Sequence, residues 1–352
     1  MTEDVWSAEN TSPDAIDDAL RRMLHERHVA NRALAPARVL NLIVIVDREW
    51  KGEISNRLAQ VGRYHASRTI LCAVEEGRTT LDAWASMSYD EPQNGLGVIV
   101  EHVEIDMGPA HLERVETIVD PVVVSELPTV LWSPHGHEEA VDTLLPMTDV
   151  MLVDSDDAIS PSIGLARAAE LSQFTYVVDL AWLRTTPWRE RLAASFDPAD
   201  RRKALSRLAA ITIRHRSASK ASALLLAGWL TSRLHWQPEA LAASGRTDSR
   251  SASRGVARRN GHEVTIELEP TDQVVPGLEG VTVSCGGRFA LSLDRARGGL
   301  CAKERLGSVE RTWQVLGASR GEGGILGEGV RQALLRDPTY GPALEAAREL
   351  CS

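Results

Sequence analysis

The chain has 352 residues, more than a single hydrophobic core usually serves, so two domains are expected. Its 43% hydrophobic and 25% charged residues are those of a globular protein rather than a disordered chain, and a formal net charge of −10 argues against nucleic-acid binding. No apolar run reaches the roughly 18 residues of a membrane helix, and the start, MTEDVWSAENTSPDAIDD, is acidic where a secretory leader is basic; a cytoplasmic protein with no membrane contact is expected.

Ser12 followed by Pro13 and by Ile16, Leu20 and Leu24 predicts a first helix capped by Ser, with Pro at its first position. The run VLNLIVIVD at 39–47 is continuously apolar and β-branched, as in a strand covered on both faces of a parallel sheet. An amphipathic segment from Trp50 to Val61 and the strand TILCAV at 69–74 complete a β-α-β unit. The alternation continues with strands at 98–105, 128–133, 149–155 and 174–182, and with helices at 109–119, 137–145 and 162–172. A doubly wound, mostly parallel α/β sheet fits this order.

From about Thr186 the pattern changes to the helices PWRERLAASF and ADRRKALSRLAA, a short strand at 211–215 and the long apolar helix SKASALLLAGWLTSRLHW at 219–236. Residues 243–261, rich in Ser, Arg and Gly, read as a mobile loop. HEVTIELE, VTVSCG and RFALSL, between 262 and 293, alternate with period two as in an antiparallel meander, and helices are predicted near 325–336 and 341–350. The expected organisation is a lead-in over 1–36, an α/β domain over 37–190 and a smaller α+β domain over 191–352.

Charge is unevenly spread: residues 75–150 hold 16 Asp and Glu against Arg78 and Arg114, whereas 184–220 hold 10 Lys and Arg against three acids. Two solvated faces account for this, as does complementary contact with a partner. Cys72, Cys285, Cys301 and Cys351 form no C-x-x-C and read as reduced thiols.

Candidate chemistry is sparse. His135-Gly136-His137 with Glu138 and Glu139 offers metal-ligand types, but Pro134 and Gly136 suit a simple strand-to-helix turn, and no metal is expected. GEGGILGEG at 321–329 offers backbone amides yet lacks the Lys-Ser/Thr of a phosphate loop, so it reads as a flexible loop. No G-x-S-x-G elbow occurs, and neither catalytic residues nor a cofactor is expected. Asp47, Ser133, Asp154 and Asp179 stand at the carboxyl ends of predicted strands, where open α/β sheets hold ligands.

Ser133 and His135 are therefore kept as ligand or anion contacts, as are Arg63, Tyr64, His65 and Arg68 in a basic, aromatic connection. Trp182, Arg184, Trp188 and Arg189 combine the residue types that dominate interfaces, so they are candidate partner contacts; filling the junction between domains explains the two tryptophans equally well.

The segments EWKGEISNRLAQVGRYHASRTI, TIVDPVVVSELPTVLWSPHGHEEA and YVVDLAWLRTTPWRERLAASFDP resemble, in order and spacing, the actinobacterial OpcA family. The resemblance is clearest over residues 40–200 and weaker in the last third. It implies a non-catalytic assembly factor and allosteric activator of glucose-6-phosphate dehydrogenase in the oxidative pentose phosphate pathway. The alternative is a sugar-phosphate or nucleotide-binding enzyme or sensor using the carboxyl edge of the first sheet.

Overall fold

The computed structural model describes residues 2–30, 38–62, 67–90, 98–243, 251–287, 289–316, 322–333 and 335–352. These form two compact units: Met1–Val153, Phe174–Val178 and Leu326–Leu335 in the first, Asp154–Gln173, Asp179–Ile325 and Arg336–Ser352 in the second. The chain thus passes between them several times, where the sequence suggested one boundary near 190.

The first unit contains β1 (Thr2–Ala8), α1 (Pro13–Ala30), β2 (Leu40–Asp47), α2 (Lys51–Gly62), β3 (Ser67–Val74), β4 (Asp82–Asp90), β5 (Val98–Met107), α3 (Val115–Val119), β6 (Thr129–Trp132), α4 (Glu138–Leu144), β7 (Val150–Val153) and β8 (Tyr176–Asp179). The strands lie in the order β1-β4-β5-β3-β2-β6-β7-β8. From β5 to β7 all pairings are parallel, and β4 and β1 extend the sheet antiparallel beyond β5. The β2 run is buried along nearly its whole length and β3 throughout, as continuous β-branched strands at a sheet centre should be.

β1 and β4 were not predicted. β4 buries Ala83, Ala85 and Met87 on alternate positions, a pattern carried by small side chains, while β1 is an edge strand defined by its pairing with β4. The predicted strand over 174–182 stops at Asp179, whose side chain accepts the Ala181 N–H at 2.9 Å and so caps a helix within the apolar run.

The second unit holds α5 (Pro161–Leu171), α6 (Leu180–Arg184), α7 (Thr186–Ser195), α8 (Ala199–Ala204), β9 (Leu208–Arg216), α9 (Lys220–Leu234), β10 (Gln237–Pro238), β11 (Ala242–Ala243), β12 (Ser253–Arg259), β13 (His262–Thr271), β14 (Leu278–Cys285), β15 (Phe289–Ala296), β16 (Gly299–Leu306) and β17 (Val309–Leu316). α10 (Glu322–Gln332) falls from Leu326 onward in the first unit, and α11 (Tyr340–Cys351) closes the second. The sheet runs β10-β12-β13-β9-β14-β15-β16-β17, with β11 also on β12.

Three expectations are corrected here. β9 lies between β13 and β14, parallel to the first and antiparallel to the second, so the meander begins only at β14. Ser253–Arg259, assigned to the 243–261 loop, is strand β12, because pairing with β13 buries Ser253 and Ala257. The segment GEGGILGEG at 321–329, read as a flexible loop, lies from Glu322 onward in helix α10, which overlaps the helix expected near 325–336 and buries Ile325, Leu326 and Val330 despite its glycines.

α9 is apolar on nearly every side because it is covered by α11 and α5 as well as by β9 and β13. Gly228 permits the α9–α11 approach: a Cβ there would lie 2.2 Å from Ala343 O and 2.8 Å from Ala347 N.

Candidate functional site

The predicted ligand contacts do not converge. Arg68 opens β3, while Ser133 and His135 follow β6; since both strands run parallel to β2, the residues stand at opposite edges of the sheet. Arg68 is buried, donating from Nε to Glu101 Oε2 at 2.7 Å and to the Val122 carbonyl at 2.7 Å, and Arg38 pairs with the same Glu101. This corrects Arg68 from a ligand contact to a buried structural cation. Arg63, Tyr64 and His65 lie outside the described residues.

At the carboxyl edge of the first sheet, between β2 and β6, the residues do gather. The Asp47 N–H donates to His135 Nδ1 at 3.2 Å, and His137 Nε2 lies 3.1 Å from Asp47 Oδ1. Trp50 leans against His135 with ring centroids 5.7 Å apart. Burial pushes the His135 pKa down against the pull of Asp47, which suits a neutral ring accepting a backbone hydrogen bond. Ser133 Oγ donates to Gly136 O at 2.5 Å and closes the turn, while His137, at φ 51°, caps α4. The turn reading of His-Gly-His describes this segment, and among the described residues no three His, Cys, Asp or Glu side chains converge as a metal site requires.

The connection from β2 into α2 is Asp47-Arg48-Glu49-Trp50-Lys51, with a 3₁₀ turn at Arg48–Trp50. A dinucleotide pyrophosphate needs glycines here, so that the backbone can approach it at the helix start. This chain places carboxylates and an indole there. Lys51 is turned away from the crevice chemistry: its Nζ sits between Glu104 at 2.9 Å and Asp106 at 2.7 Å. Burial alone would raise Glu104, but hydrogen bonds from His102 and Lys51 hold it at about 2.

The second unit carries a denser ion network. Arg184 binds Asp154 through two hydrogen bonds, at 2.8 and 2.6 Å, and lies 3.8 Å from Asp156. Asp156 accepts the Ser222 N–H at 3.0 Å and the Ser222 hydroxyl at 2.5 Å. Asp179, fully buried, accepts from Ser155 N, Ser155 Oγ, Ala181 N and the Tyr340 hydroxyl. Burial, reinforced by Asp154, pushes Asp156 up to about 7 and Asp179 up to about 6.

Folded protein therefore holds protons that the unfolded chain releases near 3.8. These two groups contribute stability that is full at the acid end and is lost as pH rises through about 6 to 7. Asp156→Asn is expected to flatten that decline in a series of thermal melts across pH; an unchanged slope would show that Asp156 is ionised in the folded state throughout.

The four candidate partner contacts belong to this interior. Trp182 and Trp188 are 2% and 1% exposed, and the Arg184 and Arg189 side chains are nearly as covered. The Arg189 guanidinium lies 3.5 Å from the centre of the Trp182 ring, whose Nε1–H donates to Asp337 at 3.0 Å. The expected stacking is present, but it is internal: the two tryptophans are core residues, and this cluster does not offer its rings to a partner. Asp156, Ser222, Tyr340 and Asp337 were missed by sequence reasoning because they reach the network from distant segments.

The fold is similar to that of two solved structures. KijD10, a 3-ketoreductase from Actinomadura kijaniata in complex with NADP and TDP-benzene, superposes with a TM-score of 0.51 at 8% identity, covering 88% of this chain and 95% of that one. An oxidoreductase from Sinorhizobium meliloti gives 0.50 at 11% identity over 89% and 94%. At such identities the likeness is one of fold alone.

Family comparison is more specific. Residues 59–170 match the glucose-6-phosphate dehydrogenase subunit N-terminal domain, and residues 175–344 match the corresponding C-terminal domain. The chain belongs to the OpcA family of glucose-6-phosphate dehydrogenase assembly proteins.

Among relatives, the OxPP cycle protein OpcA of Synechocystis is 32% identical over 150 residues, 42% of this chain and 31% of that protein. The OpcA of Synechococcus elongatus is 31% identical over 181 residues, 50% of this chain and 41% of its own length. The matched stretch thus spans less than half of either relative. Among the described residues, no helix is long and apolar enough to cross a membrane.

Proposed function

We propose that the protein is a non-catalytic, cytoplasmic partner of glucose-6-phosphate dehydrogenase that promotes its assembly and activates it allosterically. The observation that carries this reading is the family match across both halves of the chain. The crevice supports it. We read the sheet as doubly wound, since its order reverses at β2, and at that reversal Asp47, Glu49 and Trp50 occupy the place where a dinucleotide enzyme keeps glycines. On this reading carboxylates and an indole stand where a dinucleotide-binding sheet presents glycine backbone to phosphate.

Activation then works by differential affinity: binding the assembled dehydrogenase more tightly than its other states shifts the equilibrium toward the assembled form. The test mixes the purified protein with the dehydrogenase of the same cell, recording mass by light scattering and the initial rate of NADPH formation. A larger complex with a raised rate is expected, and neither change would sink the proposal. Melts with NADP and with glucose 6-phosphate address the sensor alternative; a clear rise with either ligand would favour that reading instead.

A further inference from the structure

β17 is the last strand of the second sheet, and among the described residues no strand pairs with its outer edge. It pairs with β16 in unbroken register over eight residues, and it contains neither Pro nor Lys, two common guards of a free edge. The hairpin turn is Gly307-Ser308, with Gly307 at φ 62°. In a two-residue hairpin the flanking pair, here Leu306 and Val309, is hydrogen-bonded, and pairs alternate along the ladder. Arg311, Trp313 and Val315 therefore spend their backbone groups on β16, whereas Glu310, Thr312 and Gln314 turn N–H and C=O outward.

The side chains point to what lies opposite. Val309, Arg311, Trp313 and Val315 share a face with Leu306, Glu304, Ala302 and Leu300 of β16. On β16 three of these four are buried, yet Leu306, Val309 and Trp313 are 50%, 54% and 37% exposed. The core face of the sheet overhangs its cover at this edge.

We infer that a second copy of this chain lays its own β17 antiparallel against this one about a two-fold axis at Thr312, joining two sheets into one. That register is self-complementary. Thr312 meets its own copy, Arg311 lies opposite Trp313 of the partner subunit, Val309 lies opposite the partner's Val315, and Glu310 lies opposite the partner's Gln314. Each outward-facing residue finds a hydrogen-bonded pair, and guanidinium meets indole twice, at the close non-hydrogen-bonded positions. Centring instead on Glu310 or Arg311 sets like charges against each other. Centring on Trp313 keeps the indoles together but carries Val309 past the end of its partner strand. The contact is isologous and closes as a dimer.

The dimer is independent of the proposed dehydrogenase partner and is tested on the protein alone. Light scattering over a wide concentration range is expected to give twice the 38.4 kDa chain mass. Thr312→Pro deletes an N–H that its own sheet does not use, so it should give folded single chains whose melting temperature does not depend on protein concentration. Thr312→Cys should form a covalent dimer on oxidation, whereas Glu310→Cys and the unaltered chain should not, since only position 312 faces itself. A single-chain mass at every concentration overturns the inference. So does a dimer whose Thr312→Cys form fails to cross-link, and this result also decides the matter if the proline variant does not fold.

Discussion

Arg184→Ala is expected to be among the most damaging single substitutions in this protein. Its guanidinium is the cation placed between Asp154 and Asp156, with an 8% exposed side chain, and its stem packs 3.4 Å from the point where a Cβ on Gly277 would stand. Removing it leaves two buried carboxyl groups facing each other without their neutraliser. Such orphaned charges typically cost about 3–5 kcal/mol, which corresponds to a fall in melting temperature on the order of 10 °C. The pH dependence identifies the cause. The carboxyl groups can relieve the loss by taking up protons, so the deficit should be largest near about pH 8 and shrink toward about pH 5. Thermal melts of both proteins at the two values check this; a deficit independent of pH would mean that only packing had been lost.

Gly228→Ala should cost about 1–3 kcal/mol, although alanine is by about 1 kcal/mol the better helix former. The obstruction is backbone: Ala343 O at 2.2 Å and Ala347 N at 2.8 Å from the new methyl carbon. A flexible side chain could swing aside, but a helix backbone moves only if α11 is lifted from α9. Gly327, in α10, provides the contrast, because a Cβ there meets nothing within 4 Å. Gly327→Ala should therefore be neutral or raise stability by up to about 1 kcal/mol. Finding the two substitutions equal in the melt would show that the α9–α11 contact is looser than described.

The legible parts of this fold were those written in local chemistry. The β2 and β3 runs are apolar because both of their faces are covered, the Ser12-Pro13 pair starts α1, and the uninterrupted apolar character of α9 reflects cover on several sides. What escaped the sequence was mostly pairing at a distance. Nothing in LAAITIRHR says that β9 will part β13 from β14, since the preference for that slot lies in two strands made later. The alternation in β4 rests on alanines, which carry little hydrophobic contrast.

Asp179 is instructive in another way. The apolar run continues on both sides of it, which reads as one strand, but an aspartate able to cap a helix was the signal that the strand ends. At the site, position alone singled out Asp47, Ser133, Asp154 and Asp179. The role of Asp179 became readable only when Tyr340, from a remote segment, supplied a hydrogen bond, and that of Asp154 only when Arg184 paired with it. Trp182 and Trp188 show the limit of reasoning from residue type, because the same indole and guanidinium groups serve an interior as well as an interface.

The placement of β9 and α9 sets an order of events during synthesis. β9 leaves the ribosome before either of its sheet neighbours exists, and α9 follows with an apolar surface that α11 covers only once Tyr340–Cys351 has been made. A nascent chain must carry β9 unpaired until β13 and β14 have been made and α9 without its α11 cover until Tyr340–Cys351 follows, and these closing contacts are long-range ones that form slowly. Over that interval α9 is a natural ligand for a chaperone, and the yield of folded protein depends on how long the exposed helix can be shielded.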